Sequence, residues 1–134
     1  MKRLFYLVLC FATLSSVLSA SEKSNTVLIH PGDTLYARFA EHGKKLKLLS
    51  VAKEKDDQAQ LVITFEQNTK DVGMTLKLHN HFAKDLQYQV EMRSLTRHLT
   101  MPANVYPVVT DKMSIDPILP KTDELAVFGF ELIL

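Results

Sequence analysis

The sequence predicts an all-β domain: an antiparallel two-sheet β-sandwich, immunoglobulin-like, with about seven strands. Strict alternation of apolar and polar residues dominates the middle of the chain, in residues 74–82 and 86–92. Short segments rich in β-branched residues flank this region at a spacing that is typical of sandwiches. No segment after residue 43 has strong helical character. These three observations favour packed sheets of antiparallel strands over a helical fold.

Residues 1–20 have the layout of a secretory signal peptide. Two basic residues are followed by an apolar run, and small residues come before Ala20. The run is shorter than the ~20 residues that span a bilayer, so we expect cleavage near Ala20 and no stable membrane anchor. The remaining residues, 21–134, are expected to form one domain in the periplasm or outside the cell. The only cysteine, Cys10, lies in the signal, so no disulfide is expected in this domain.

Residues 28–43, LIHPGDTLYARFAEHG, fit both a helix and a strand. A helix ending at Gly43 would resemble the opening of a lysin-motif (LysM) module, which binds cell-wall glycan. A strand would instead follow a tight turn at Pro31-Gly32. A LysM module also needs a second helix and a return strand that are marked by asparagine, glycine and proline. Residues 46–66 contain none of these three residue types, so the flanking sequence favours the strand.

The two alternating segments show which side chains face the core. They are in phase and joined by a short polar link, residues 83–85, which predicts an antiparallel hairpin with one solvated face. Asn80 has inward parity, and we expect its side chain to bind backbone groups of the turn that follows. The predicted inward set is Met74, Leu76, Leu78, Phe82, Leu86, Tyr88, Val90 and Met92.

The remaining segments divide into strands and loops. β-branched or apolar composition predicts strands at 46–52 and 60–66, and a long terminal strand at 124–134 in which Gly129 marks a bulge. The segment NVYPVV is expected to be extended because a proline restricts the residue before it. The predicted loops are 53–60, 93–103 and 111–123.

Part of this pattern resembles a family of small exported bacterial proteins. The residues that carry the resemblance are LHNHFAKDLQYQVEM at 78–92, NVYPVV at 104–109 and DPILPKTDELAVFGFEL at 116–132, together with the early Pro-Gly turn. Tyr106 departs from the family, in which a cysteine commonly precedes Pro-Val, and the tryptophan of the late loop is absent. The resemblance implies a β-sandwich and export. It implies no particular activity.

His79 and His81 are the candidate metal ligands. Alternate residues of a strand point the same way, ~6.5–7 Å apart, so the two imidazoles could share a copper or zinc ion with a third ligand. The competing interpretation is a pair of exposed histidines on the solvated face of the hairpin. Candidate third ligands are His30, His98, Met92, Met101 and Met113.

Other classes of function are disfavoured by what the sequence lacks. It has no Gly-x-Ser-x-Gly, no His-Glu-x-x-His and only 4 glycines for a phosphate loop, so we expect no enzyme and no cofactor. The 16 basic and 15 acidic residues leave no excess charge that would favour nucleic acid. We therefore expect an exported binding domain for an unknown protein or cell-envelope ligand, with loops 93–103 and 111–123 as contact surfaces. The alternatives are a periplasmic metal-binding protein and a LysM-like glycan binder.

Overall fold

The computed structural model describes residues 25–68 and 73–134, so the predicted signal peptide lies outside the described residues. This part of the chain is all-β and antiparallel, as the sequence predicts, but it contains nine strands instead of about seven. The strands are β1 (Val27–Ile29), β2 (Thr34–His42), β3 (Lys45–Ala52), β4 (Leu61–Gln67), β5 (Met74–Asn80), β6 (Asp85–Ser94), β7 (Leu99–Pro102), β8 (Met113–Ile118) and β9 (Glu124–Ile133).

The strands form one sheet that curls into a half-barrel. Their order is β7-β6-β9-β3-β2-β4-β5-β8, and β1 pairs with β9 beside this path. β3 and β9 share the single residue pair Lys45–Glu131, so the sheet is nearly interrupted there. We call β3, β2, β4, β5 and β8 the first arm, and β1, β9, β6 and β7 the second arm. The half-barrel therefore ends at β7 on one arm and at β8 on the other.

The core lies between the inner faces of the two arms. All eight side chains predicted to face inward are buried, which confirms the orientation of β5 and β6. Phe39 of the first arm contacts Phe82 and Phe130, with ring centroids 5.7 and 5.0 Å away, at distances typical of tilted and edge-to-face aromatic pairs. Apolar burial from both arms, at ~25 cal/mol per Å², supplies the main stabilisation of a domain without a disulfide.

The predicted β5–β6 hairpin is wrong. β5 pairs with β4 and β8, whereas β6 pairs with β9 and β7, so the chain crosses from one arm to the other after Asn80. In-phase alternation places both sets of apolar residues in the core for a hairpin and for such a crossing alike. The pattern therefore defines the inner face of each strand without defining its partner.

Two predicted loops contain the strands that end the sheet. β7 lies in segment 93–103 and β8 in segment 111–123, whereas segment 104–109 forms only an isolated bridge between Val108 and Leu86. Both new strands are short and contain a proline, which weakens their sequence signal. The bulge at Gly129 is confirmed by a register shift between β6 and β9 and by a φ of 65°.

Residues 34–42 form a strand, so the LysM-like helix is wrong. The preceding Pro31-Gly32 pair makes a tight turn in which the Asp33 N–H donates to the His30 carbonyl. Gly32 has a φ of 91°, which glycine adopts without strain in this kind of turn. The glycine at 43 begins the two-residue turn between β2 and β3, where the helical reading had placed the end of a helix.

Candidate functional site

Asn80 fixes the point where the chain leaves the first arm. It is fully buried, and its amide nitrogen donates to the carbonyls of Lys84 and Val108, both at 3.0 Å. Its side-chain oxygen accepts the Phe82 N–H at 2.8 Å. These bonds confirm that the side chain binds backbone groups of the following turn. We call this region, residues 80–85 with 108–112, the Asn80 junction.

Thr110 also stabilises the junction through two hydrogen bonds. The Thr110 hydroxyl donates to the Phe82 carbonyl, and its backbone N–H donates to Asp85 at 2.9 Å. The backbone of Asn80 also donates to the Lys112 carbonyl and accepts from the Asp111 N–H. The junction therefore holds the end of β5 and the start of β8 in a fixed relation, because every one of these groups has a specific partner.

His79 and His81 lie on the outer face of the first arm, on either side of Asn80. Their ring centroids are 4.0 Å apart and the ring planes make an angle of 41°. The two rings therefore lie side by side on the outer face of the first arm. Within the described ranges no group of three or more His, Cys, Asp or Glu side chains is placed to hold a metal. A third ligand for this pair must therefore come from another residue type or from solvent.

The candidate third ligands lie in different parts of the structure. Met113 lies directly opposite His79 in the β5–β8 pairing. His30 instead contacts Glu124 at 2.9 Å, and Met92 is buried in the core. Met101 lies on β7, and His98 lies in the turn between β6 and β7. Met113 is thus the candidate that the fold places beside the histidine pair.

A second candidate site lies where the sheet fails to close. β7 and β8 line an open cleft of about 590 Å³. We call this cleft, together with the adjoining residues 117–122, the seam. No charged side chain of the described residues lines the cleft. Its lining consists of Met92, Met101, Pro102, Ala103, Asn104, Pro117, Ile118, Leu119 and Pro120.

Apolar side chains with inward parity remain uncovered at the seam. Leu99 and Met101 lie opposite Ser94 and Met92 in the β6–β7 register, so they belong to the inner face of the sheet. They are nevertheless 50% and 43% exposed, because the open cleft separates β7 from β8. Leu119, across the cleft, is also exposed. Inner-face residues of an isolated domain are normally covered, so the exposure of these side chains is unusual.

Beside the cleft is a small extension that combines a buried hydroxyl with basic side chains. Arg97 and Lys121 line it, and no carboxylate does. The Ser94 hydroxyl is buried there without a hydrogen-bond partner, the one such side-chain polar atom in the described part of the chain. The seam is therefore apolar with a basic rim.

Prolines limit backbone pairing at the seam. Pro102 ends β7 and Pro117 lies in β8, and a proline has no N–H to donate to an added strand. Edge strands are commonly protected against added strands in this way. Main-chain pairing with an added strand is therefore limited along β7 and β8.

The two arms are linked across the core near the seam. The Tyr88 hydroxyl on β6 donates to Asp116 on β8 at 2.9 Å, and Ser114 lies 3.4 Å from the same hydroxyl. Burial, together with the negative charge of Asp116, raises the pKa of Tyr88 well above its ordinary value, against the opposing effect of the Ser114 contact. This interaction fixes the distance between the arms beside the cleft.

Two polar contacts of segment 53–60 were not predicted. Arg38 donates to both oxygens of Asp56, at 2.5 and 2.7 Å, so Asp56 is paired and not simply solvated. Its neighbour Asp57 is exposed, as a charged loop predicts. The Gln60 amide binds both backbone groups of Phe39, which extends the β2–β4 ladder. Strand periodicity reports orientation only and carries no signal for such contacts.

No protein-family model, curated protein or solved structure matches this chain. Among residues 25–68 and 73–134, no helix is long and apolar enough to cross a membrane.

Proposed function

We propose that the protein is an exported, non-enzymatic binding domain that takes an apolar segment of a partner protein at the seam. The observation that carries this proposal is the exposure of Leu99 and Met101 on the inner face of β7. Apolar, methionine-containing surfaces that are depleted of charge are typical of the centres of protein interfaces. A partner that covered them would complete the core that the half-barrel leaves open.

The charge around the seam defines the partner further. Arg97 and Lys121 lie beside the cleft without a carboxylate in the same lining, so a partner with acidic residues flanking its apolar side chains is complementary. Pro102 and Pro117 disfavour strand addition along the whole edge. The proposed partner therefore inserts apolar side chains and places its carboxylates at the rim.

Two synthetic peptides test this proposal. They share a core of alternating leucine and isoleucine, flanked by glutamate in one and by lysine in the other, and binding is measured by fluorescence anisotropy. We expect the acidic peptide to bind, and Leu99→Asp to abolish binding. Leu49→Asp is the matched control, because Leu49 is 61% exposed on β3 of the first arm.

Three outcomes would contradict the seam as the binding site. They are equal binding of the two peptides, no binding of either, and equal loss in the two aspartate variants. An assay with purified cell-wall sacculi is a separate experiment. Sedimentation of wild type and Leu99→Asp alike would favour the glycan alternative. That alternative lacks the LysM helix, because residues 34–42 form a strand.

Export and the wider fold class belong to the same proposal. Mass spectrometry of the protein from the producing cell should find a chain that begins near Ser21, in the periplasm or the medium, without a lipid. A retained N-terminus would contradict export. We also propose grouping the domain with immunoglobulin-like two-sheet sandwiches and with the small exported family that it resembles, since its two arms face each other across one core.

The proposal of a binding domain without an enzyme activity is supported by how the reactive side chains are used. The Tyr88 hydroxyl is bound to Asp116, and Asp56 is bound to Arg38. The balanced charge of the chain, 16 basic against 15 acidic residues, supports a partner other than nucleic acid.

A further inference from the structure

We propose that His79, His81 and Met113 form a binding site for monovalent copper. The site lies on the outer face of the first arm and does not depend on the seam. It deepens the metal-binding alternative for the histidine pair by adding a third ligand and the identity of the ion. The two imidazole rings are 4.0 Å apart, and Met113 is the cross-strand neighbour of His79.

The register brings Met113 close to the histidines. Asn80 exchanges backbone hydrogen bonds with Lys112 and Asp111, so the next pair, His79 with Met113, is a non-hydrogen-bonded pair. In such pairs the Cα atoms are ~4.5 Å apart and the side chains are nearest to each other. The long, flexible methionine can therefore bring its sulfur to a metal that both imidazoles bind.

The Asn80 junction preorganises the site. Its buried side chain holds the backbone between the two histidines through bonds to Phe82, Lys84 and Val108. Its main chain holds the residues that immediately precede Met113. A metal that binds here orders side chains on a backbone that is already fixed, which lowers the entropic cost of binding.

The donor set selects the ion. Two imidazoles and one thioether, with no carboxylate or thiolate in the cluster, favour a soft ion such as copper(I). Zinc sites usually contain four ligands drawn from thiolate, imidazole and carboxylate, and magnesium and calcium require oxygen ligands. The opposing β4 residue is Val62, whose apolar side chain adds no competing donor.

The exposure of the site suits reversible binding. Met113 is 51% exposed, and His81 is also exposed, so an ion can reach the ligands and leave without unfolding of the domain. The site is thus accessible for the uptake and release of copper(I) and is not a closed structural metal centre.

Anaerobic titration tests the proposal. Copper(I) is presented from a competing chromogenic chelator, and silver(I) serves as a redox-stable probe in parallel. We expect one ion per chain in wild type, loss of binding in the His79→Gln/His81→Gln double variant, and a weakening of about tenfold or more in Met113→Leu. Met101→Leu is the matched control, because Met101 is a partly exposed methionine on the other arm.

Thermal melts supply a second measurement. An ion that binds only the folded state raises the melting temperature, and the rise should vanish in the double variant. The variants themselves should unfold like wild type without metal, since all three side chains lie on the surface. No shift in wild type, or equal affinities for Met113→Leu and Met101→Leu, would overturn the assignment. Tighter binding of zinc than of copper(I) would overturn the choice of ion.

Discussion

The buried polar side chain of the Asn80 junction is fully hydrogen-bonded, whereas the one beside the seam has no partner among the described residues. Asn80 uses its amide nitrogen for two backbone carbonyls and its oxygen for a backbone N–H. The Ser94 hydroxyl, on the second arm beside the cleft, is buried without a partner. The Asn80 side chain is thus fully hydrogen-bonded, whereas the seam leaves both polar and apolar groups unmatched.

This difference separates the part of the molecule that specifies the fold from the part that is available for binding. A satisfied buried network stabilises one arrangement of the chain and costs a great deal when it is broken. Uncovered apolar residues and an unpaired hydroxyl contribute little to the stability of the folded state. Substitutions in the two regions test this contrast.

Replacement of Asn80 by alanine should give the largest loss. It leaves the Phe82 N–H and the Lys84 and Val108 carbonyls without their side-chain partner. Each unsatisfied buried group costs ~1–3 kcal/mol, so the free energy of unfolding should fall by about 4 kcal/mol in urea denaturation. Asn80→Asp keeps the size and the acceptor but removes the donor, and it should also destabilise strongly. A loss below about 1 kcal/mol in both variants would show that the junction does not define the fold.

Leucine truncation compares the two regions directly. Leu78 of β5 is fully buried, so Leu78→Ala should cost ~2–5 kcal/mol through lost burial and the cavity left behind. Leu99 of β7 is half exposed, so Leu99→Ala should change the free energy of unfolding by no more than about 0.5 kcal/mol. Equal losses would mean that β7 is part of the stabilising core, which would remove the argument for an open seam.

Tyr88 connects the arms beside the seam, and its removal should have an intermediate effect. Tyr88→Phe leaves the buried Asp116 carboxylate without its hydroxyl donor, at a cost of ~1–3 kcal/mol. The raised pKa of Tyr88 means that the folded state holds the phenol proton more tightly than the unfolded state does. Its contribution is therefore complete below the unfolded pKa of about 10 and is lost as the pH rises above it.

Urea denaturation at pH 8 and pH 11 checks this dependence. The difference in unfolding free energy between wild type and Tyr88→Phe should shrink at the higher pH. A constant difference would show that the hydroxyl is not held in its neutral form by the core.

Ser94→Ala should have the opposite sign from Asn80→Ala. Removal of a buried hydroxyl that has no partner relieves a desolvation cost, so the free energy of unfolding should rise by up to about 1 kcal/mol. Thermal and urea denaturation of this variant are the measurements. A loss of more than 1 kcal/mol would mean that Ser94 has a partner in solution, and the contrast between the two regions would weaken.

The smallest effect is expected from the surface pair on the first arm. Hydrogen bonds from Arg38 hold the pKa of Asp56 below its ordinary value. The resulting stabilisation is present above the unfolded pKa of about 4 and is lost as the pH falls through the lower folded value. Asp56→Asn should therefore destabilise slightly at pH 6 and by less as the pH falls, whereas exposed Asp57→Asn should have no effect at any of these pH values.

Orientation could be predicted from this sequence, but strand partners could not. The alternation from Met74 to Met92 correctly defines the inner face of β5 and β6, because side-chain parity is a local property. The partner of each strand depends on the path of the chain after Asn80, and in-phase alternation fits a hairpin and a crossing between arms equally well. Two of the unpredicted strands, β7 and β8, are short and proline-containing, so their periodic signal is weak.

The candidate sites could likewise be predicted only in part. The outward positions of His79 and His81 follow from parity alone, and loops 93–103 and 111–123 were already candidates for contact. That Met113 lies opposite His79 depends on the β5–β8 register, which no local pattern encodes. The seam is likewise a gap between two edges that are distant in sequence, and it becomes visible only when both are placed in space.

The position of β9 has a consequence for the order of folding. It is the last described strand in the chain, yet it pairs with β1, β3 and β6. A chain that emerges with its N-terminus first can pair β2 with β3 and β4 early, and β6 with β7, but β1 waits for residues 124–133. Such long-range pairing is slow to form. The pairings that join β9 to β1, β3 and β6 therefore form only when the last described strand is available.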